Sequence, residues 1–166
     1  MVLGIGGARV LRALGLSPAV WHINEGHAAF LILELLRESM AAGLEFDAAL
    51  EAAAAQCVFT THTPVAAGHD VFSDKLFGDC FGGYLRTLNV APERVTTLGR
   101  GPGVSHGFNM TRLALAGARH INGVSRIHGG VSAQLCADHW PDLAPAENPV
   151  GYVTNGVHVP TFLSQT

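Results

Sequence analysis

Apolar residues follow two patterns along this sequence: short runs rich in β-branched and aromatic side chains, and longer stretches with helical spacing. Residues 19–23 (AVWHI) and 57–61 (CVFTT) show the first pattern, which is typical of buried strands. Leu31, Leu35 and Leu36 show the second pattern. Together they predict strands at 19–23, 57–61, 122–127 and 150–154, and helices at 8–14, 28–40, 47–56, 74–88, 92–98, 110–120 and 132–139.

Strands that alternate with helices predict an α/β fold with a Rossmann-like parallel sheet. The length of 166 residues fits one domain. Polar motifs follow three of the strands: NEGH at 24–27, THTP at 61–64 and TNG at 154–156. Ligands of open α/β sheets bind outside the carboxyl ends of the strands, so these motifs predict one crevice with several strand-end loops.

Side chains in these motifs are candidates for ligand contact. His22 alternates along a predicted buried strand, which favours a hydrogen-bonded core histidine. His27 follows Glu25 at the strand-to-helix turn, and we expect it to face the crevice. His62 ends the second strand, where it either caps the loop or contacts a ligand. Asn155 lies before a glycine, so it either supplies turn geometry or binds a hydroxyl group.

Three further predictions are local. The glycines within 4–7 predict a turn where a helix begins against tightly packed neighbours, and an anion-binding nest is the alternative. Asp47 is expected to cap the helix at 47–56. His69 and Asp70 form a polar pair that is expected to brace the loop after the second strand.

Charged residues make up only 14% of the chain, against about 25% in a typical soluble domain. Either this is an Ala- and Gly-rich domain with an uncharged surface, or part of the surface meets another protein segment. The net charge is −3, and no basic cluster is present that could follow a nucleic-acid backbone. The composition therefore argues against nucleic acid as a partner.

Three cysteines without CxxC spacing argue against a disulfide framework and favour a reducing compartment. The most apolar run is too short and too interrupted by charge to span a bilayer, and the amino terminus does not resemble a signal peptide. These features predict a cytoplasmic protein without a membrane partner.

Common catalytic motifs do not fit the sequence. GIGGAR at 4–9 departs from the dinucleotide fingerprint, and HINEGH at 22–27 lacks the spacing of a zinc site. We find no GxSxG elbow and no carboxylate pair suited to glycoside hydrolysis. From the residues alone, we therefore predict no catalytic residue and no metal ligand.

Long blocks of the chain closely resemble the α-glucan (glycogen/maltodextrin) phosphorylases in their bacterial form. The blocks are LGIGGARVLRALGL at 3–16, WHINEGHAAFLILELLRE at 21–38, VFTTHTPVAAGHDVF at 58–72, FNMTRLALAGARHINGVSRIHG at 108–129 and GYVTNGVHVPTFL at 151–163. They occur in the family's order over almost the whole chain. Two departures are Ala67, where proline is usual, and Gly130, where glutamate is usual.

The resemblance implies a glycosyltransferase of GT-B architecture, with two Rossmann-like domains across a cleft. Residues 1–154 would be a partial N-terminal domain, and 155–166 would begin the crossing to the C-terminal domain. The family's cofactor, pyridoxal phosphate, would be bound in the full-length parent, because its lysine lies in that second domain. The resemblance thus implies a fragment that is inactive alone, from a parent that can be a homo-oligomer.

The family's reaction is the reversible phosphorolysis of α-1,4-glucans by orthophosphate to glucose 1-phosphate. By resemblance, His62 would contact the transferred glucose near its 6-hydroxyl, and Asn155 would share that hydroxyl. Glu25 and His27 would border the neighbouring acceptor-sugar side. Two alternatives stay open: a stand-alone glucan-binding or scaffold module without catalysis, and an unrelated small α/β enzyme that uses its histidines.

Overall fold

A four-stranded parallel sheet organises the chain in the computed structural model, which describes residues 1–101, 104 and 106–163. The strands are β1 (Trp21–Asn24), β2 (Cys57–Thr60), β5 (His120–Gly123) and β6 (Val150–Tyr152), in the order β1-β2-β5-β6. Two short strands, β3 (Val71–Phe72) and β4 (Phe108–Asn109), pair antiparallel beside it. The predicted α/β class and parallel sheet are confirmed.

Eight α-helices lie in the described part of the chain. They are α1 (Gly7–Ala13), α2 (Phe30–Ala41), α3 (Phe46–Gln56), α4 (Asp74–Leu85), α5 (Pro92–Leu98), α6 (Met110–Ala116), α7 (Arg126–Leu135) and α8 (Val159–Phe162). Along the chain, each new strand of the main sheet is added at the same edge of the sheet, beside the strand before it. Because such crossovers are right-handed, the connecting helices share one face of the sheet. None of the described helices is both long enough and apolar enough to cross a membrane.

The core lies between the sheet and α2, whose first seven residues are all buried. α2 packs against α3, and its Phe30 ring stacks on Phe81 of α4 at a centroid distance of 4.2 Å. Phe77 stacks on Phe108 at the same distance, so four phenylalanines form one aromatic cluster. Buried area of this kind is the main favourable contribution to folding.

A buried carboxylate interrupts the apolar face of α2. The Glu34 side chain has no solvent exposure; Arg9 and Arg37 donate to it at 2.9 and 2.7 Å, and Tyr84 Oη donates at 2.8 Å. Burial disfavours the ionised form, but these hydrogen bonds outweigh it and lower the pKa of Glu34 to about 2. The cluster ties α1, α2 and α4 together.

The glycine-rich start of the chain is helical, so the predicted turn at 4–7 is wrong. Val2–Gly6 forms a π-helical turn that runs directly into α1. A Cβ atom on Gly4 would lie 2.5 Å from the backbone nitrogen of Leu31. Glycine is therefore needed here for close packing of two helices, which confirms that part of the prediction.

Two other local predictions need correction. The strand predicted at 122–127 ends at Gly123 in the structure. It ends there because Ser125 Oγ accepts a hydrogen bond from the backbone N–H of His128, so that Ser125 caps the start of α7. Asp47 does not cap α3, which begins after Glu45 without a side-chain cap. Asp47 instead pairs with Arg94.

The predicted division of the chain at residue 154 stays a prediction. Of the expected crossing segment 155–166, the described part ends with α8, and residues 164–166 lie outside the described residues.

Candidate functional site

Polar side chains gather where β1 and β2 end. The strands pair in parallel with Asn24 opposite Thr60, and Thr60 in turn lies opposite Asn122 of β5. Glu25 directly follows β1, and the loop from Thr61 directly follows β2. The register therefore brings NEGH and THTP to one edge of the sheet, as the sequence predicts.

The carboxylate of Glu25 binds the THTP loop. Its Oε1 accepts hydrogen bonds from the backbone N–H of His62 and from Thr63 Oγ1 at 3.2 Å. Its Oε2 accepts from Thr61 Oγ1 at 3.4 Å. His62 Nδ1 lies 3.4 Å from Oε1, and the Glu25 side chain is only 15% exposed. One carboxylate thus links the ends of two neighbouring strands.

Glu25 also has an unusual backbone conformation. Its φ is 61° and its ψ is 174°, a region that residues with a side chain rarely adopt. Such a conformation costs on the order of 1–3 kcal/mol and persists only where surrounding contacts hold it. Here the Glu25 N–H donates to the carbonyl of Thr60 at 2.9 Å. Strained residues of this kind cluster at functional sites, so this observation marks the turn as a candidate site.

His27 contacts a later part of the loop that follows β2. Its Nδ1 lies 3.4 Å from Asp70 Oδ2, and both side chains are at least half exposed. His69 Nδ1 lies 2.6 Å from Thr111 Oγ1, and the carbonyl of Asp70 accepts from the Met110 N–H at 3.0 Å. His69 and Asp70 therefore brace the loop as expected, but each does so through a different partner.

Asn155 stands apart from this cluster. It follows β6, and its backbone N–H donates to the carbonyl of Val124 at 3.1 Å, while its side chain is exposed. Strand β5 lies between β2 and β6, and neighbouring strands are about 4.8 Å apart. The structure therefore joins Glu25 and His62 by direct contacts and links His27 to the same loop through Asp70. It places Asn155 farther along the same edge.

His22 is exposed, so the expected core position is wrong. Along β1, Trp21 and Ile23 are buried while His22 and Asn24 face the open side of the sheet. His22 Nε2 lies 2.7 Å from Thr60 Oγ1, which donates to Asn122 Oδ1 at 3.0 Å. This chain across three strands was missed by the sequence analysis. The two-residue alternation of apolar side chains was the signal that could have placed His22 outward.

The described residues offer no group of three histidine, cysteine or acidic side chains that could hold a metal ion. They also do not fit pyridoxal phosphate as a bound cofactor. Lys75 is the only lysine of the sequence, and a Schiff base needs a lysine in a shielded site. The Lys75 side chain is 85% exposed and pairs with Asp79 one helical turn away.

No family model matches the chain. Several curated proteins do match it. Glycogen phosphorylase of Mycobacterium tuberculosis is 42% identical over 174 residues, which cover 98% of this chain and 20% of that protein. Maltodextrin phosphorylase of Thermococcus litoralis is 39% identical over 98% of this chain and 19% of that protein. Glycogen phosphorylase of Aquifex aeolicus is 34% identical, with coverage of 98% and 23%. The chain thus spans about a fifth of the length of these relatives.

Proposed function

Because glycogen and maltodextrin phosphorylases match 98% of this chain at 34–42% identity, we propose that it forms part of an α-glucan phosphorylase. The parent would catalyse the reversible phosphorolysis of α-1,4-glucans. The observation that carries this proposal is the match of 42% identity over 98% of the chain. The polar cluster at the strand ends supports it independently.

In this proposal, the chain supplies one wall of the sugar-binding cleft. Residues 1–154 belong to the N-terminal domain of a GT-B enzyme, and 155–166 begin the crossing to the second domain. A glucan is uncharged, so it is recognised by hydrogen bonds from a few well-placed polar groups. The exposed His62, His27 and Asn155 offer such groups, and Glu25 borders the same wall behind His62.

Phosphorolysis breaks the bond between C1 of the terminal glucose and the glycosidic oxygen, which takes up a proton. An orthophosphate oxygen forms the new bond to C1. Pyridoxal phosphate would be bound by other parts of the parent, since the residues of this chain do not fit it. The role proposed for this chain is therefore to bind and orient the sugar: His62 and Asn155 at the hydroxyl of the transferred glucose, and His27 toward the acceptor side.

Substitution of His62 tests this role. In a phosphorylase that carries this segment, His62→Ala should lower kcat/KM for phosphorolysis roughly 5- to 150-fold, because a hydroxyl of the bound sugar would lose its hydrogen-bond partner inside the closed cleft, at a cost of about 1–3 kcal/mol. The absorbance of the bound cofactor should stay intact. Lys75→Ala, on the surface of α4, is the matched control and should leave kcat/KM unchanged. Equal kinetics for His62→Ala and the control would contradict the sugar contact.

A further inference from the structure

An apolar groove lies over the aromatic cluster that α4 shares with α2 and β4. It has a volume of about 210 Å³, and its walls include Phe30, Phe77 and Phe81 of that cluster. Leu76 and Cys80 also line it, one helical turn apart on the exposed side of α4. Every described side chain that lines the groove is apolar or a cysteine. The groove therefore suits an uncharged, apolar partner.

A complementary apolar surface lies on α8 and the residue after it. Val159, Phe162 and Leu163 have the i, i+3, i+4 spacing of one helix face, and all three are more than half exposed. Anchors with this spacing are typical of a helix that binds in an apolar groove. An apolar cavity of roughly 150 Å³ holds one benzene molecule. The groove over α4 therefore has room for the ring of Phe162.

The charges around the two surfaces allow them to meet. Residues 148–163 contain no Asp, Glu, Lys or Arg. On α4, the charged side chains that flank the groove-lining positions, Lys75 and Asp79, pair with each other. A contact between α8 and the groove would therefore bury no unpaired charge, and the centres of protein interfaces are depleted of charged residues in the same way.

The size of the two surfaces indicates how many contacts a stable complex needs. An aromatic side chain such as Phe162 buries about 150–250 Å². One α8 in one groove therefore stays well below the roughly 1,200 Å² of a stable interface, and a reciprocal pair of contacts doubles the buried area. We propose that two copies of this chain form a dimer in which α8 of each copy binds in the groove over α4 of the other. This inference does not rest on the proposed function.

Sedimentation of the full 166-residue chain tests the association. The sedimentation coefficient should rise from that of a monomer to that of a dimer between micromolar and millimolar chain concentrations. Phe162→Ser should raise the dissociation constant about tenfold or more, because a central aromatic anchor carries a large share of the binding energy. Leu44→Ser is the matched control and should leave the constant unchanged, because Leu44 is exposed between α2 and α3.

The native Cys80 reports which surfaces meet. It is exposed, whereas the other two cysteines are buried. Under mild oxidation with diamide, Leu163→Cys should form a disulfide between the introduced cysteine and Cys80 of a second copy, which mass spectrometry of the digested protein identifies. Leu44→Cys is the matched control and should not form the corresponding disulfide with Cys80.

Three results would overturn the proposal. The first is a wild-type chain that stays monomeric at millimolar concentration. The second is a dissociation constant that Phe162→Ser and Leu44→Ser leave equal. The third is growth beyond the dimer, which would show that the contacts are not reciprocal. Phe162 and Leu44 are both exposed, so neither substitution removes a core contact and both variants should fold.

Discussion

Glu34 shows how a single side chain can make this fold sensitive to acid. It is fully buried and its pKa falls from 4.5 to about 2 on folding. The unfolded chain therefore takes up the proton first as the pH falls. The stabilisation from Glu34 is fully present above about pH 5 and is lost progressively between about pH 4.5 and 2.

We expect the free energy of unfolding to fall by about 3 kcal/mol over this range through Glu34. Urea unfolding at several pH values measures it. Glu34→Gln should be less stable at neutral pH, because Arg9 and Arg37 lose a charged partner, and its stability should depend less on pH in this range. Glu38→Gln, at the more exposed ion pair with Arg12, should keep the acid sensitivity. The same pH dependence in Glu34→Gln as in the wild type would contradict the role of the cluster.

At the residue scale, the sequence predicted which candidate side chains lie near one another better than it predicted their contacts. Glu25, His27 and His62 were identified because they follow strands, and the sheet register brings them together. The Glu25 carboxylate accepts hydrogen bonds from the THTP loop. This arrangement depends on the Glu25 backbone φ of 61°, which no local pattern of the sequence indicates. The Glu34 cluster was missed because two of its three partners, Arg9 and Tyr84, are 25 and 50 residues away in the sequence.

At the element scale, helix α7 contains two adjacent glycines with opposite surroundings. A Cβ atom on Gly130 would meet no heavy atom within 4 Å, whereas one on Gly129 would lie 3.0 Å from the carbonyl oxygen of Gly151 and from Cβ of Tyr152. Gly129 lets α7 pack closely on β6, while Gly130 is exposed and only weakens the helix.

Gly130→Ala should therefore raise the free energy of unfolding by about 0.5–1 kcal/mol, because alanine has the better helix propensity. Gly129→Ala is the matched variant and should lower it, since strand β6 must shift to admit the methyl group. Denaturant unfolding of both variants measures the difference. A loss of stability in Gly130→Ala would mean that the helix requires glycine there.

Most elements could be predicted from periodicity, and α5 agrees with its predicted range at both ends because Pro92 fixes its start. The boundary between β5 and α7 could not, because residues 124–127 still resemble a strand in apolar pattern. The hydrogen bond from the backbone N–H of His128 to Ser125 Oγ decides that boundary. The short strands β3 and β4 were also missed, since a two-residue strand has too few positions to show alternation.

At the scale of the whole molecule, the low charge content has a structural counterpart. Leu3, Val10 and Leu14 recur at helical spacing along the π-helical turn and α1, and they are 67%, 59% and 68% exposed. Of the two explanations that the composition left open, this exposed apolar stripe favours a surface that meets further protein. The sequence could predict the shortage of charge but not the helix face that results from it.

The lysine content of the chain bears on whether it can act alone. Its only lysine, Lys75, is exposed and paired with Asp79, so the chain has no shielded lysine for a Schiff base with pyridoxal phosphate. We expect the 166-residue chain to release no glucose 1-phosphate from maltodextrin and orthophosphate, with or without added pyridoxal phosphate. A coupled assay for glucose 1-phosphate measures this, with an intact phosphorylase as the positive control.

Borohydride reduction of the chain with pyridoxal phosphate provides a second measurement of the same expectation. A specific site would become labelled at low cofactor concentration and would resist competition by free lysine. An exposed amine such as that of Lys75 should be labelled only weakly. Lys75→Arg should abolish labelling within α4 and leave only that of the Met1 α-amine, without affecting the fold, because arginine retains the charge opposite Asp79. Glucose 1-phosphate release that disappears in Lys75→Arg would show instead that this chain is a complete catalyst built on an exposed lysine. That outcome would overturn the assignment of the chain as one wall of a larger active site.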